Sequence, residues 1–336
     1  MRIALIASGE GPNARYRVFG PASALGARGH RVLATVFTDM KEPNALLDFD
    51  VVLGWRMHDE FFSRLARAMG ERRIGLVWDN DDNFLELEAG ANKQSAFFRS
   101  FRGRRMLADM HALMRLANIV TTPSAGLAAT YREQVETDVR VVENFVAPID
   151  PRFTPSKPQR IVVGWVANRE HQADVERLGL RAAMERLLER HPHVEIVTIG
   201  CSLGIQSDRY QFIRGVVFEE LRAYVRQFDI GLAPIADSAF NRSRSNVKLK
   251  EYAAMGVPWL ASPIGPYERL GQDEGGRLVP DDRWFEEVES LVVDGRARRK
   301  LAKRGAKWAA RQTLEANADV WEDTLREAAE RAGRRV

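Results

Sequence analysis

The sequence predicts an α/β protein of two successive domains, each around its own parallel sheet, and three observations carry that prediction. Short apolar runs alternate with longer amphipathic ones, the pattern of βαβ units. A cluster of prolines breaks the alternation near mid-chain, and the alternation then restarts. In the first half the spacing predicts strands over 2–7, 31–37, 51–54, 74–78, 119–121 and 139–142, and helices over 16–28, 60–69 and 104–117. Pro148, Pro151, Pro155 and Pro158 then favour an extended linker, because each fixes φ and lacks an N–H. After them come a strand over 161–166, a helix near 174–190 and strands over 194–199, 230–234 and 258–261, with a helix over 246–255 before the last. The tail from about Asp281 is helical. The expected division is 1–150, 151–310 and a C-terminal helix in 311–336 that packs back toward the first domain.

Composition narrows the class. With 336 residues, each half is long enough to bury its own core, and 45% hydrophobic against 29% charged residues excludes a disordered chain. A net charge of +4 is too slight to imply nucleic acid and suits an enzyme with phosphorylated ligands equally well. A single cysteine, Cys201, rules out an intrachain disulfide and a cysteine-based zinc cluster. The first apolar run, Ile3–Ala7 ahead of Ser8-Gly9, is too short for a signal peptide, and no stretch approaches the roughly 20 apolar residues of a spanning helix. The expectation is a cytoplasmic protein, with peripheral contact at the inner membrane face through 97–107 as a further reading. That segment mixes Phe97, Phe98 and Phe101 with arginines, which suits anionic lipid, a polyanion, or a core helix with snorkelling arginines.

The chemistry concentrates between Phe228 and Tyr267. A buried-looking strand, 229–235, runs into the polar loop Phe240-Asn241-Arg242-Ser243-Arg244-Ser245-Asn246, and then into the helix Val247-Lys248-Leu249-Lys250-Glu251-Tyr252-Ala253-Ala254-Met255. Ser245 or Asn246 is a natural N-cap, and Gly256 stands where a left-handed C-cap belongs. Such a helix start offers free N–H groups and the positive end of its dipole to an anion. Arg242, Arg244 and Lys248 surround it with cations, a setting for a diphosphate. Lys248 and Glu251, three apart, share a face, so Glu251 lies a turn deeper and can accept from a ribose diol; the competing reading is a solvated surface ion pair.

Phe240 to Pro258 resembles the donor-site motif of family 4-type, GT-B retaining glycosyltransferases. More narrowly it is similar to a bacterial branch reading Phe-Asn-x-x-Lys/Arg-Ser-Asn-x-Lys-x-x-Glu-Tyr, and Ala261-Ser262 with Gly265-Pro266-Tyr267 continues the likeness. The resemblance implies a GT-B fold, two Rossmann-like domains whose parallel sheets face each other across a cleft. It implies donor binding by Glu251, Ser245, Asn246, Arg242, Asn241, Tyr252, Gly164 and Arg169, with Glu251 on the ribose and Lys248 and Arg244 on the leaving diphosphate. Gly164-Trp165-Val166-Ala167-Asn168 resembles the strand-end loop that opens the second domain, with Arg169 or His171 replacing the usual arginine, and Asn144-Phe145-Val146-Ala147-Pro148-Ile149-Asp150 looks like the interdomain linker. The first glutamate of the broader family's pair falls at Ser243.

In the first half, Gly9-Glu10-Gly11-Pro12-Asn13-Ala14 with Asp39 fits a nicotinamide site literally, but Pro12 removes an N–H from the turn that would cradle pyrophosphate. The preferred reading places Gly9 and Gly11 on the acceptor side, with Arg15 or Arg17 meeting phosphate or acceptor. Asp79, Asp81 and Asp82 form a strand-end cluster that reads as acceptor-facing, the alternatives being a hard-cation site and a polar capping loop. His58, beside the strand at 51–54, is a candidate for sharing a proton near the donor sugar. The sum is a nucleotide-sugar transferase without metal or resident cofactor, acting on an acceptor (glycan, lipid-linked, small-molecule, protein or nucleic-acid) that the residues do not name. A nucleotide-sugar epimerase and an NAD-dependent enzyme are the rivals.

Overall fold

The computed structural model describes residues 1–86, 93–147 and 160–334, which fall into two compact units. The first comprises Met1–Ala147, Ser243–Ser245 and Thr313–Val336; the second comprises Pro148–Arg242 and Asn246–Gln312. The proline cluster from Pro148 to Pro158 lies outside the described residues.

The first unit holds β1 (Arg2–Ala7), α1 (Gly20–Ala27), β2 (Arg31–Val36), β3 (Val51–Trp55), α2 (Glu60–Glu71), β4 (Gly75–Asp79), α3 (Lys93–Arg99), α4 (Phe101–Leu116), β5 (Ile119–Thr122), α5 (Ala125–Arg132) and β6 (Val139–Val141). Its strands form one all-parallel sheet in the order β2-β1-β3-β4-β5-β6. Buried strands of a parallel sheet are apolar on both faces, and β3, Val51-Val52-Leu53-Gly54-Trp55, is buried at every position. Helix α2 shows the local rules plainly. Asp59 caps it by accepting from the N–H groups of Phe61 and Phe62 at 2.7 and 3.1 Å, and Phe62, Leu65, Ala66 and Met69 form its buried stripe.

The single helix expected over 16–28 is two pieces, a π-helical turn over Arg15–Phe19 and then α1. Pro21 explains the division, since it fits the first turn of a helix but cannot continue one.

The second unit holds β7 (Ile161–Val166), α6 (Gln172–Arg177), α7 (Leu180–Arg190), β8 (Val194–Ile199), β9 (Tyr210–Ile213), α8 (Phe218–Val225), β10 (Ile230–Ala233), α9 (Ala239–Arg242), α10 (Val247–Ala254), β11 (Trp259–Ala261), β12 (Gly276–Leu278), α11 (Trp284–Val293) and α12 (Gly295–Ala309). Its parallel sheet runs β12-β11-β10-β7-β8-β9, so the strand order reverses between β7 and β10. The helix expected near 174–190 is broken at Gly179, whose φ of +58° lies in the left-handed region.

A final helix, α13 (Ala318–Arg331), belongs to the first unit and lies against its sheet. Trp321, Leu325, Ala328 and Ala329 join the same core as β1 and β3. The approach is close enough that a Cβ on Gly75 would stand 2.6 Å from the Ala329 nitrogen. Outside that core, Glu327 takes both terminal nitrogens of Arg140 at 2.6 Å and one from Arg331 at 2.7 Å. The Arg140 hydrogen bonds, then Arg331, pull the Glu327 carboxyl from 4.5 down to about 2. An acid depressed in the folded state contributes stability that is present above its unfolded pKa and is lost as pH falls through the folded one. The stability of the native chain should therefore fall between pH 4.5 and 2 more steeply than that of Glu327→Gln, as read from urea midpoints; parallel acid limbs in the two proteins would refute this tie.

Candidate functional site

Where the strand order of an open parallel sheet reverses, the loops beyond the strands part and leave room for a ligand. In the second unit that point is the C-terminal edge of β7 and β10, and α10 is built onto it. The Tyr252 hydroxyl donates to the Leu232 carbonyl of β10 at 3.0 Å and accepts from the Val166 N–H of β7 at 3.2 Å. Its ring lies against the backbone of Gly231, where a Cβ would come within 2.8 Å. Burial raises its hydroxyl pKa well above the ordinary tyrosine range, so it stays a neutral strut. One turn earlier, the Lys248 ammonium donates to the Val166 carbonyl. Both groups of Val166 are thus held by one helix, and the Lys248 charge sits at the end of β7.

The start of α10 is open in the sense that matters to an anion. Asn246 is its N-cap without a side-chain hydrogen bond, and the buried Asn246 Oδ1 has no partner. Glu251 is half-buried, a turn along the helix from that start.

The loop before α9 is clamped by a carboxylate that the sequence reading passed over. Asp174 Oδ1 accepts from the Ala236 N–H at 3.1 Å and from Asn241 Nδ2 at 3.0 Å, while Asp174 Oδ2 meets His171 Nδ1 at 2.7 Å. Asn241 Nδ2 also donates to the Ala236 carbonyl at 2.8 Å. Asp174, His171 and Asn241 are all buried, so Asn241 shapes the loop with its amide nitrogen rather than presenting it outward. The Ser262 hydroxyl fixes the same loop from below, accepting from the Ile235 N–H at 2.9 Å. Arg242 forms a two-pronged pair with Asp237 at 2.6 Å on the surface. Gly164 lies within β7 beside Gly231, and its missing Cβ leaves room for the Phe228 ring; Arg169 is exposed just beyond the strand. Cys201, buried nearby, has its thiol pushed up to about 11 by burial and by the Asp174 carboxylate, which leaves it an inert thiol.

Ser243–Ser245 counts with the first unit. There Ser243 Oγ accepts from Asn83 Nδ2 at 3.0 Å, its carbonyl accepts from the Ser124 hydroxyl at 2.6 Å, and Ser245 Oγ accepts from Asn144 Nδ2 at 3.1 Å. Arg244, between them, is half-buried.

At the ends of β3 and β4 the expected acceptor-side acids mostly meet arginines. Arg17 and Asp79, both fully buried, form a two-pronged pair at 3.0 and 2.5 Å, and Arg17 also donates to Asn144 Oδ1 at 3.0 Å. Arg17 therefore turns inward; Arg15, two residues earlier, is the exposed member of the pair. Asp81 Oδ1 accepts from Trp55 Nε1 and Arg56 Nε, each at 2.8 Å, and Asp82 meets Arg56 at 2.5 Å. Burial raises the Asp81 carboxyl against the pull of Arg56. Arg56 adopts a left-handed φ of +55°, rare for a side chain of its size, with its N–H on the Asp79 carbonyl at 2.7 Å. Among the described residues no group of three or more His, Cys, Asp or Glu side chains is placed to hold a metal ion. His58 Nδ1 contacts the Arg56 carbonyl at 2.9 Å. Gly9 and Gly11 lie in the loop after β1 with open space where a Cβ would stand.

Residues 160–294, most of the second unit, match the family model described as Glycosyl transferases group 1. The chain carries a glycosyltransferase domain. Its fold is similar to that of sucrose-phosphate synthase from Thermosynechococcus elongatus, at 16% identity and a TM-score of 0.66, covering 97% of this chain and 98% of that one. Anabaena HepE in complex with UDP is similar at 14% identity and a TM-score of 0.66, covering 97% and 100%. A UDP-forming α,α-trehalose-phosphate synthase from Burkholderia xenovorans is similar at 14% identity and a TM-score of 0.61, covering 99% and 100%. These are two-domain GT-B structures, and the present chain has that fold. No curated protein matches the sequence.

The clamp is testable. Asp174→Ala strips the Ala236 N–H and Asn241 of their acceptor, and unsatisfied buried donors cost about 1–3 kcal/mol each. Asp174→Asn keeps an oxygen for both donors. Chemical denaturation should show a clear loss for the alanine variant and partial recovery for the asparagine variant; equal losses would remove the acceptor role of Oδ1.

Proposed function

We propose that the protein moves a sugar from a nucleotide-sugar donor to an acceptor as a family 4-type, retaining GT-B enzyme, with the donor bound by the second unit. The observation that carries this reading is the convergence at the end of β7. There the open N-terminus of α10 and the Lys248 ammonium stand together at the strand-order reversal. In this reading the diphosphate lies on the N–H groups of α10 with Lys248, and Arg244 adds a further cation from the adjoining loop. Glu251 accepts from the ribose hydroxyls. Asn241 and Tyr252 act by shaping the loop and the strand ends, and Gly164 by close packing.

The chemistry asked of such a site is modest. Retaining transfer with front-face attack needs the acceptor held close and the leaving diphosphate stabilised, which cations and oriented N–H groups supply. The departing phosphate oxygen takes the acceptor proton, so no pair of carboxylates is required. That Asp79, Asp81 and Asp82 are engaged by Arg17 and Arg56 supports a metal-independent reaction. His58 and the Gly9–Gly11 loop remain for the acceptor side. The solved HepE structure holds UDP, which makes a uridine donor the first to test. Among the described residues no helix is long and apolar enough to cross a membrane. We place the protein in the cytoplasm.

Thermal stability with UDP, GDP, ADP, CMP, dTDP and NAD tests the reading. Ligand at about 100 times its dissociation constant stabilises by roughly 2.7 kcal/mol. One nucleoside diphosphate should raise the melting temperature of the native chain. Glu251→Ala should weaken that binding about tenfold to a hundredfold, the range for a hydrogen bond to a charged group. Lys248→Ala should lower kcat by about 10²–10³, the range for loss of one charge-stabilising donor. A shift with NAD alone, or an unaltered Glu251→Ala, would overturn the donor site.

A further inference from the structure

The corner where α3 meets α4 has no part in the proposed donor site, and its sequence is unusual. The corner is held by close local contacts. Ser100 caps α4 by accepting from the Gly103 N–H at 3.1 Å, and its hydroxyl donates to the Phe97 carbonyl at 2.6 Å. A Cβ on Gly103 would stand 2.1 Å from that same carbonyl, so α3 rests directly on the first turn of α4. Three phenylalanines divide between inside and outside. Phe98 is buried and stacks on Phe84 at 4.5 Å. Phe84 in turn lies under the Arg56 guanidinium at 4.9 Å, the same group that holds Asp81 and Asp82. Phe97, edge-on to Phe98 at 5.2 Å, and Phe101 are 43% and 74% exposed.

Along the two helices the charge beside the outward rings is basic. Arg99, Arg102, Arg104 and Arg105 are exposed, and the sequence from Lys93 to Ala108 contains no acidic residue. Arg102, Arg104 and Arg105 pair with no carboxylate among the described residues. Two large exposed apolar side chains beside hydrated arginines form a combination that suits one kind of surface. Phenyl rings enter the boundary between headgroups and acyl chains, while arginines meet anionic headgroups. A stacking site for single-stranded nucleic acid arranges its rings along a basic groove; these two cap a helix–helix corner.

We propose that this corner seats the protein on an anionic phospholipid surface. Phe98, Phe84 and Arg56 connect this corner to the ends of β3 and β4 in the same unit. The seat does not depend on the transferase reading above.

The test is co-sedimentation of the full chain with vesicles of phosphatidylcholine, alone or mixed with phosphatidylglycerol. Binding should require phosphatidylglycerol and weaken with salt. Phe97→Ser/Phe101→Ser should reduce partitioning by about tenfold or more, from the apolar area no longer buried. Arg102→Gln/Arg104→Gln/Arg105→Gln should reduce it about fivefold per cation at low salt. The phenylalanine variant, altered only at exposed positions, should keep its melting temperature and its nucleotide-dependent shift. Vesicle binding without any nucleotide shift would keep the seat and sink the transferase reading. Binding indifferent to lipid charge, unchanged partitioning of both variants, or capture of a single-stranded oligonucleotide in place of vesicles would overturn the seat.

Discussion

Parallel strands buried on both faces end in backbone groups that the next strand does not satisfy, and the C-terminal edge of each sheet is organised by that constraint. In the second unit the need is met by one helix. Tyr252 takes the Leu232 carbonyl and the Val166 N–H, and Lys248 takes the Val166 carbonyl. In the first unit it is met by ions. Arg17 reaches the Val142 carbonyl while it holds Asp79, and the Arg56 N–H takes the Asp79 carbonyl. The placement of α10, and with it the proposed donor site, follows from the first solution. The buried charge of the strand-end cluster follows from the second.

The two solutions have different chemical consequences. Tyr252 and the Lys248 ammonium bond to backbone, and at the start of α10 the buried Asn246 Oδ1 has no partner. Ion pairs consume themselves: a buried carboxylate is tolerated only with a partner, so Arg17 and Asp79 are committed to each other. The second unit's strand ends are thus tied by hydrogen bonds to backbone, whereas those of the first unit are tied by buried charge.

Much of the architecture was legible in the sequence. The apolar runs at 2–7, 161–166 and 194–199 are the strands Arg2–Ala7, Ile161–Val166 and Val194–Ile199, because largely buried strands leave a dense hydrophobic signal. Strands β9 and β12 escaped for the opposite reason: each is an edge strand of three or four residues, and Tyr210-Gln211-Phe212-Ile213 buries none of its positions. The loop, helix and C-terminal glycine of 240–256 were readable because they are local and lie in one stretch. The partners of its side chains were not. Asp174 clamps Asn241 from 67 residues away and Asp79 claims Arg17 from 62. Long-range pairing is what a single sequence hides, and it decides whether a polar residue faces a ligand or the protein. The His171-x-x-Asp174 spacing was the available clue to the clamp.

Because α13 completes the hydrophobic core of the first unit, that unit is discontinuous in the chain. Trp321, Leu325, Ala328 and Ala329 leave the ribosome after the whole of the second unit has been made. The second unit can close while synthesis continues; the first must wait, with Gly75 and its neighbours uncovered, until the last helix arrives. The half that is translated first is thus the half that finishes folding last.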